Sequence, residues 1–290
     1  MLLLFLIQYK KQASTTNKIL KFTEKQYMQT SIYKSLKKQA DTSTLVDDYL
    51  VVEAPIEISI NSKPFTMVMR TPGNDENLVR GLLYAEDVYK GKNPLKIKSS
   101  ETDKNGFTKI NLSIKKTDLG KAYLNKRSLL SVSSCGICGK TELGNLNTDQ
   151  KPLHSKSLLN MEKLPEMFKT MRSKQHTFEL TGGSHAAVLF DKNHAFICLY
   201  EDIGRHNAVD KCVGDILNNN NLKKASCMLV SGRVSYEIIS KAFFAKINTI
   251  VAVSACSSLA VDYAKEFGIC LIGFSRNGKA TIYANPSNLL

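Results

Sequence analysis

Cys227-Met228-Leu229-Val230-Ser231-Gly232-Arg233-Val234-Ser235 passes from four apolar residues straight into a small, hydroxylated loop. A short apolar run bounded by turn residues reads as a strand buried on both faces. The same phrase returns over 249–253, followed by Ser254-Ala255-Cys256-Ser257-Ser258, and again over 269–274. Helical spacing fills the gaps at 236–246 and 259–267, and Gly268 stops the second helix. Alternating βα units predict a parallel sheet with helices on its faces and functional loops at the carboxyl ends of the strands. Two Ser-rich loops that each open a helix would place unpaired N–H donors side by side, forming an edge suited to phosphate, with Arg233 adding a charge-assisted contact. For either loop alone, an ordinary Ser N-cap is the competing reading.

Upstream, 186–190 and 195–200 are apolar runs joined by Asp191-Lys192-Asn193-His194, a predicted hairpin, and Asn207 is positioned to cap the helix after it, with Asp210 three residues on. Two flanking stretches are too polar for their place beside buried strands: Thr181-Gly182-Gly183-Ser184-His185 and Glu201-Asp202-Ile203-Gly204-Arg205-His206-Asn207. The second gathers acid, base, imidazole and amide, a mixture suited to a site for a polar anion, in which His185 or His206 can carry a proton. Residues 158–164 and 168–171 predict a helix packed on this unit. Closer to the N-terminus, alternation over 53–61 and 63–70 predicts a hairpin. Thr71-Pro72-Gly73-Asn74 is a turn, 75–88 carries a helical stripe, and Phe107, Ile110, Leu112 and Ile114 mark another strand, giving a small α+β unit.

The least core-like stretch is Ser131-Val132-Ser133-Ser134-Cys135-Gly136-Ile137-Cys138-Gly139-Lys140. Its two thiols, set among Gly and Ser, are accessible and their backbone can approach a partner closely. A structural zinc site would need a second ligand pair, which is missing, since Cys198, Cys227 and Cys270 lie inside apolar runs. A redox disulfide of thioredoxin type expects the motif early in a βαβ unit. A sulfur carrier needs a nucleophilic thiol on a loop able to visit two partners. The residues alone leave these three uses open.

The chain has 290 residues and seven cysteines scattered through hydrophobic segments, which suits about two domains in a reducing compartment. Met1-Leu2-Leu3-Leu4-Phe5-Leu6-Ile7 lacks a charged leader and is too short to span a bilayer, so no membrane association is expected. The formal charge of +14 favours anionic partners, and much of the excess falls among N-terminal lysines up to Lys38. No zinc-finger or RNP-type signature turns that charge toward nucleic acid. The expected layout is a basic extension over 1–44, ragged or loosely packed, a small α+β domain over 45–130, the Cys loop and connector over 131–157, and an α/β domain over 158–290.

Several blocks together resemble the successive motifs of the formate dehydrogenase accessory sulfurtransferase (FdhD) family. They are Ser134-Cys135-Gly136-Ile137-Cys138-Gly139-Lys140, Thr181 through Ala187, Glu201 through Lys211, Ser231-Gly232-Arg233, Ser257-Ser258-Leu259-Ala260-Val261 and Gly273-Phe274-Ser275-Arg276, with Arg70-Thr71-Pro72-Gly73 upstream. The resemblance runs from about residue 50 onward. It implies a C-terminal α/β domain similar to cytidine deaminase, with a mixed sheet and helices on its faces. It also implies a cytoplasmic sulfurtransferase that takes sulfur from a cysteine desulfurase as a persulfide on Cys135, assisted by Cys138. The sulfur would pass to the molybdenum cofactor, in its bis-molybdopterin guanine dinucleotide form, for formate dehydrogenase. The family's cofactor segment falls on Phe274, Ser275, Arg276, Asn277, Gly278 and Lys279. Gly183, His185, Asp202, Arg205, His206, Ser231, Arg233 and Ser257 are further candidates for the same ligand, and a cofactor with two nucleotide arms suits a two-fold homodimeric site. No metal ligands are expected: Ser257 and Ser258 follow Cys256 where deaminases place a Cys-x-x-Cys for zinc. Cys256 itself stands where the family usually has Pro, and Ala85-Glu86-Asp87-Val88 departs from the usual Glu-Gly. The alternative is a chaperone that cradles the cofactor without sulfur chemistry, its Cys pair serving as a redox clip or a zinc ligand.

Overall fold

The computed structural model describes residues 29–120, 123, 151–153, 159–276 and 278–286. Regular structure begins earlier than the sequence suggested. Strands β1 (Thr30–Gln39) and β2 (Thr42–Val51) form an antiparallel two-stranded ribbon. Ile32 faces Tyr49 and Leu36 faces Leu45 across the ribbon, while Lys34 pairs with Asp47 at 2.6 Å. The lysines between these apolar positions hide the period-two pattern, so the first strand reads as a solvated tail.

The small domain is a four-stranded sheet in the order β4-β3-β6-β5, built from β3 (Ala54–Ile60), β4 (Lys63–Arg70), β5 (Lys96–Thr102) and β6 (Thr108–Ser113), with α1 (Asp75–Ala85) against it. Burial alternates along β3: Ile56, Ile58 and Ile60 are fully buried and meet Leu78, Val79 and Leu83 of α1. Each such Ile contributes roughly 1.5–3 kcal/mol through burial. The hairpin and the helix expected here are present.

In the larger domain, α2 (Leu164–Ser173) and α3 (His176–Thr181) precede β7 (His185–Asp191) and β8 (Phe196–Asp202), which are followed by α4 (Arg205–Asn218), β9 (Ala225–Val230), α5 (Tyr236–Phe244), β10 (Thr249–Ala252), α6 (Ser258–Phe267), β11 (Cys270–Arg276) and β12 (Lys279–Ala284). The six-stranded sheet has the order β12-β11-β10-β9-β7-β8. Strands β9, β10 and β11 are parallel, as the repeated βα pattern requires, and β7 and β12 run against their neighbours, so the sheet is mixed. Alternate residues feed two cores. Leu189, Met228, Val230, Ile250 and Leu271 pack on α4, α5 and α6, whereas Val188, Leu229, Val251 and Ile272 pack on Leu164, Met167 and Met171 of α2.

Two local readings change. Gly204, not Asn207, is the N-cap of α4. Asn207 lies inside the first turn, where its amide donates to Met69 O at 2.8 Å, across the domain joint, and to Asp202 Oδ1 at 2.9 Å. The chain also has a strand after β11: Asn277-Gly278, a favoured hairpin dipeptide, precedes β12, with Gly278 at φ +73°.

The two domains meet where α1 crosses α4. Gly81 lies on the backbone of Asp210, and Gly214 on the backbone of Asn77, each so close that no Cβ fits. Paired glycines let the two helix backbones touch directly.

Candidate functional site

Because β7 is antiparallel to both β8 and β9, its first residue lies where those strands finish: His185 pairs with Asp202, and Ala187 with Val230. The turn after α3, the loop after β9 and the β11–β12 hairpin therefore converge on one edge of the sheet. A cleft of about 950 Å³ opens there. Gly183, His185, Ser231, Ser275, Arg276, Gly278 and Lys279 line its polar side, so residues proposed from widely separated motifs share one cavity.

The two Ser-rich loops are bonded to each other: Val234 N–H donates to Ala255 O, and Ser257 N–H donates to Val234 O, both at 3.0 Å. Two of their hydroxyls accept backbone hydrogen bonds and keep an O–H to donate. Ser231 Oγ accepts from Ala186 N–H at 2.9 Å, and Ser257 Oγ caps α6 by accepting from Ala260 N–H at 3.2 Å. Arg233 is exposed on the first loop.

The acid-rich motif after β8 points mostly inward. Asp202 and Lys211 are fully buried and pair at 2.7 Å. Asp202 also accepts from Thr71 N–H and Gly204 N–H, and Lys211 donates to Thr71 O at 2.9 Å. Arg70 holds that turn in place: it is completely buried, and its guanidinium donates to both oxygens of Asp75, to Ala54 O, to Gly106 O and to Thr108 Oγ1. Glu201 accepts from Thr177 N–H and Phe178 N–H, capping α3 from the neighbouring strand, and from the Ser184 hydroxyl. His206 Nε2 lies 2.9 Å from Ser235 Oγ and 3.0 Å from Glu237 Oε2. A ligand-like cluster of charges thus holds the two domains and the site's walls in position.

His185 remains in the cleft. Burial lowers its pKa, and the nearby cations Arg205 and Arg233, together with His206, lower it further against the opposing pull of Asp202. A neutral imidazole among cations can accept a proton when an anion arrives.

Phe274 occupies a bulge in β11 at φ +50° and is 41 % exposed. A bulky residue in the left-handed region is a strained conformation of the kind found at binding sites. With Arg276, Lys279 and Thr281 it lines an adjoining hollow of about 390 Å³. Cys256 packs by its sulfur beside Gly273, and burial pushes its thiol up to about 11, so it is not an activated nucleophile. Cys135, Cys138 and Asn277 lie outside the described residues.

Sequence reasoning read 158–164 and 168–171 as a packing helix and gave Gln175 and Phe178 no role. Met161, Phe168, Met171, Gln175 and Phe178 line the cleft, and the guanidinium of Arg172 stands 4.7 Å over the Phe178 ring. An amphipathic helix was the signal for Phe168 and Met171. The cleft therefore combines a cationic, hydroxylated edge with an apolar, aromatic wall, an arrangement suited to a flat ring joined to an anion.

A candidate formate dehydrogenase accessory protein from Desulfotalea psychrophila, known from a crystal structure, shares the fold, with a TM-score of 0.68 at 20 % identity over 90 % of this chain and 99 % of that one. The Streptomyces coelicolor protein named sulfur carrier protein FdhD is 39 % identical, covering 83 % of this chain and 89 % of its own, and the Sulfolobus acidocaldarius protein of the same name is 37 % identical, covering 84 % and 92 %. Residues 51–290, which contain every strand of both domain sheets described above, match the FdhD/NarQ family, and the chain belongs to it.

Proposed function

We propose that this protein is a sulfur carrier that receives sulfur from a cysteine desulfurase on Cys135 and delivers it to a molybdenum cofactor bearing guanine dinucleotides, destined for formate dehydrogenase, in the cytoplasm. The family membership and the relatives' shared name support the sulfur chemistry. The observation that carries the ligand half is the cleft, where Ser275, Arg276 and Lys279 meet His185 and Ser231 opposite an aromatic wall. Arg276 and Lys279 would neutralise phosphate oxygens. The Cys135 thiolate would attack the outer sulfur of the desulfurase persulfide, forming a new S–S bond as the desulfurase thiolate leaves. Lys140, close in sequence, would favour the thiolate.

The test is to incubate the protein with a cysteine desulfurase and cysteine, then map the added sulfur by mass spectrometry. Sulfur is expected on the Cys135 peptide and absent in Cys135→Ala, whereas Arg276→Ala loads sulfur normally but loses nucleotide binding. A Cys135→Ala protein that still loads sulfur and supports formate dehydrogenase activity refutes the carrier role. Full support by Cys135→Ser together with failure of Arg276→Ala would indicate a protein that only holds the cofactor.

A further inference from the structure

Gln175 occupies the N-cap position of α3, yet its side chain makes no cap hydrogen bond, because Glu201 reaches across from β8 and accepts from the Thr177 and Phe178 amides in its place. Its residue is only 4 % exposed, and that remainder opens into the cleft. Among the described residues its carboxamide has no hydrogen-bond partner, although neither amide atom is sealed from the cavity. An amide held in place with both polar atoms facing a cavity is available to a ligand that displaces the water there. Around it, Phe168, Met171 and Phe178 supply the apolar wall, with Arg172 stacked over Phe178, while His185, Arg276 and Lys279 stand on the polar side of the same cavity.

We infer that Gln175 reads the polar edge of a nucleobase held against the α2–α3 wall. Its amide N–H donates to a ring carbonyl and its oxygen accepts from the adjoining ring N–H, while the phosphates lie toward His185, Arg276 and Lys279. A carboxamide presents a donor and an acceptor side by side, the pattern that pairs with the edge of a base. The flat faces of the ring suit the aromatic wall. Gln175 thereby becomes a specificity-determining residue of the cleft. This inference rests on the reading of the cleft as a nucleotide site.

The test measures binding of GDP and of inorganic pyrophosphate to the full chain and to Gln175→Met, which keeps the length of the side chain but removes its hydrogen bonds. The wild type should bind GDP more tightly than pyrophosphate. Gln175→Met should lose about tenfold or more in GDP affinity, the worth of one bidentate base contact, and retain pyrophosphate affinity, which also reports that the variant is folded. Unchanged GDP affinity in Gln175→Met overturns the inference alone, as does an equal loss for both ligands. A wild type that binds neither ligand overturns the nucleotide reading and the inference with it.

Discussion

Replacing Gly214 by Ala should separate the two domains at their tightest contact. A Cβ there would run first into the carbonyl oxygen of Asn77, with the carbonyl carbon 2.6 Å away, and one on Gly81 into the carbonyl oxygen of Asp210, with its carbon 2.7 Å away. Carbon atoms in contact rest about 3.5–4.0 Å apart and the oxygens stand nearer still, so α1 and α4 would have to move at least about 1 Å apart, enough to forfeit a quarter to a half of the dispersion energy along the crossing. The obstacle is backbone, which cannot rotate aside, so the strain belongs near the top of the usual overpacking range, about 3 kcal/mol. Ala restores about 1 kcal/mol through its helix propensity, leaving a net loss of about 2 kcal/mol for either single variant. One shared separation relieves both clashes, so Gly81→Ala/Gly214→Ala should cost about as much as the worse single variant rather than their sum. The chain has no tryptophan, so urea unfolding is followed by far-UV circular dichroism. A neutral or stabilised Gly214→Ala would mean that propensity outweighs contact, and full additivity in the double variant would mean that the two glycines do not share one joint. Either result refutes the reasoning.

Lys211→Met should destabilise by about 3–5 kcal/mol, because it strands the buried Asp202 carboxylate, and adding Asp202→Asn should recover much of the loss in the same unfolding assay. His185 has a folded pKa below its ordinary value, so the unfolded chain binds more protons in that window. Its contribution to stability is complete above about pH 6.5 and is lost as the pH falls toward the lower folded pKa. His185→Gln should flatten that part of the acid dependence, and an unchanged profile would count against it. Pyrophosphate, by stabilising the imidazolium, should take up protons on binding, seen as a buffer-dependent heat in calorimetry that His185→Gln abolishes. Cys256, with its thiol raised to about 11, should react with iodoacetamide at pH 8 far more slowly than a free thiol, and Cys256→Ser should leave sulfur loading on Cys135 unchanged by mass mapping.

The larger sheet was legible because its strands are uniform apolar runs cut by Ser and Gly, and the period of the chain switches between them. The convergence of separate loops on one edge also followed, since carboxyl ends of parallel strands must share an edge. Four features escaped for physical reasons. The ribbon of β1 and β2 is largely exposed, and Lys34 stands between Ile32 and Leu36 on their own face, so the apolar pattern is broken. The strand after Gly278 is largely exposed, so it lacks the apolar run that marks its neighbours. The Glu201–Asn207 stretch stood out for its polarity, but polarity records the need for partners, not which partners meet it. Asp202 and Lys211 find theirs in each other and in Thr71, and Glu201 finds its own in α3. Gln175 was invisible for the opposite reason, since a lone glutamine at the start of a short helix carries no periodic signal.

The reversed direction of β7 also bears on how the protein matures. The walls of the cleft come from segments as far apart as Met161 and Ala280, and the hairpin bearing Arg276 and Lys279 is synthesised after β7 to β10 are complete. A growing chain can fold its small domain and most of its large sheet and still lack the cationic side of its receptacle. If the cleft binds the anion proposed for it, capture waits for β11 and β12 to be made, and a ribosome-bound fragment ending before β11 should fail to bind pyrophosphate.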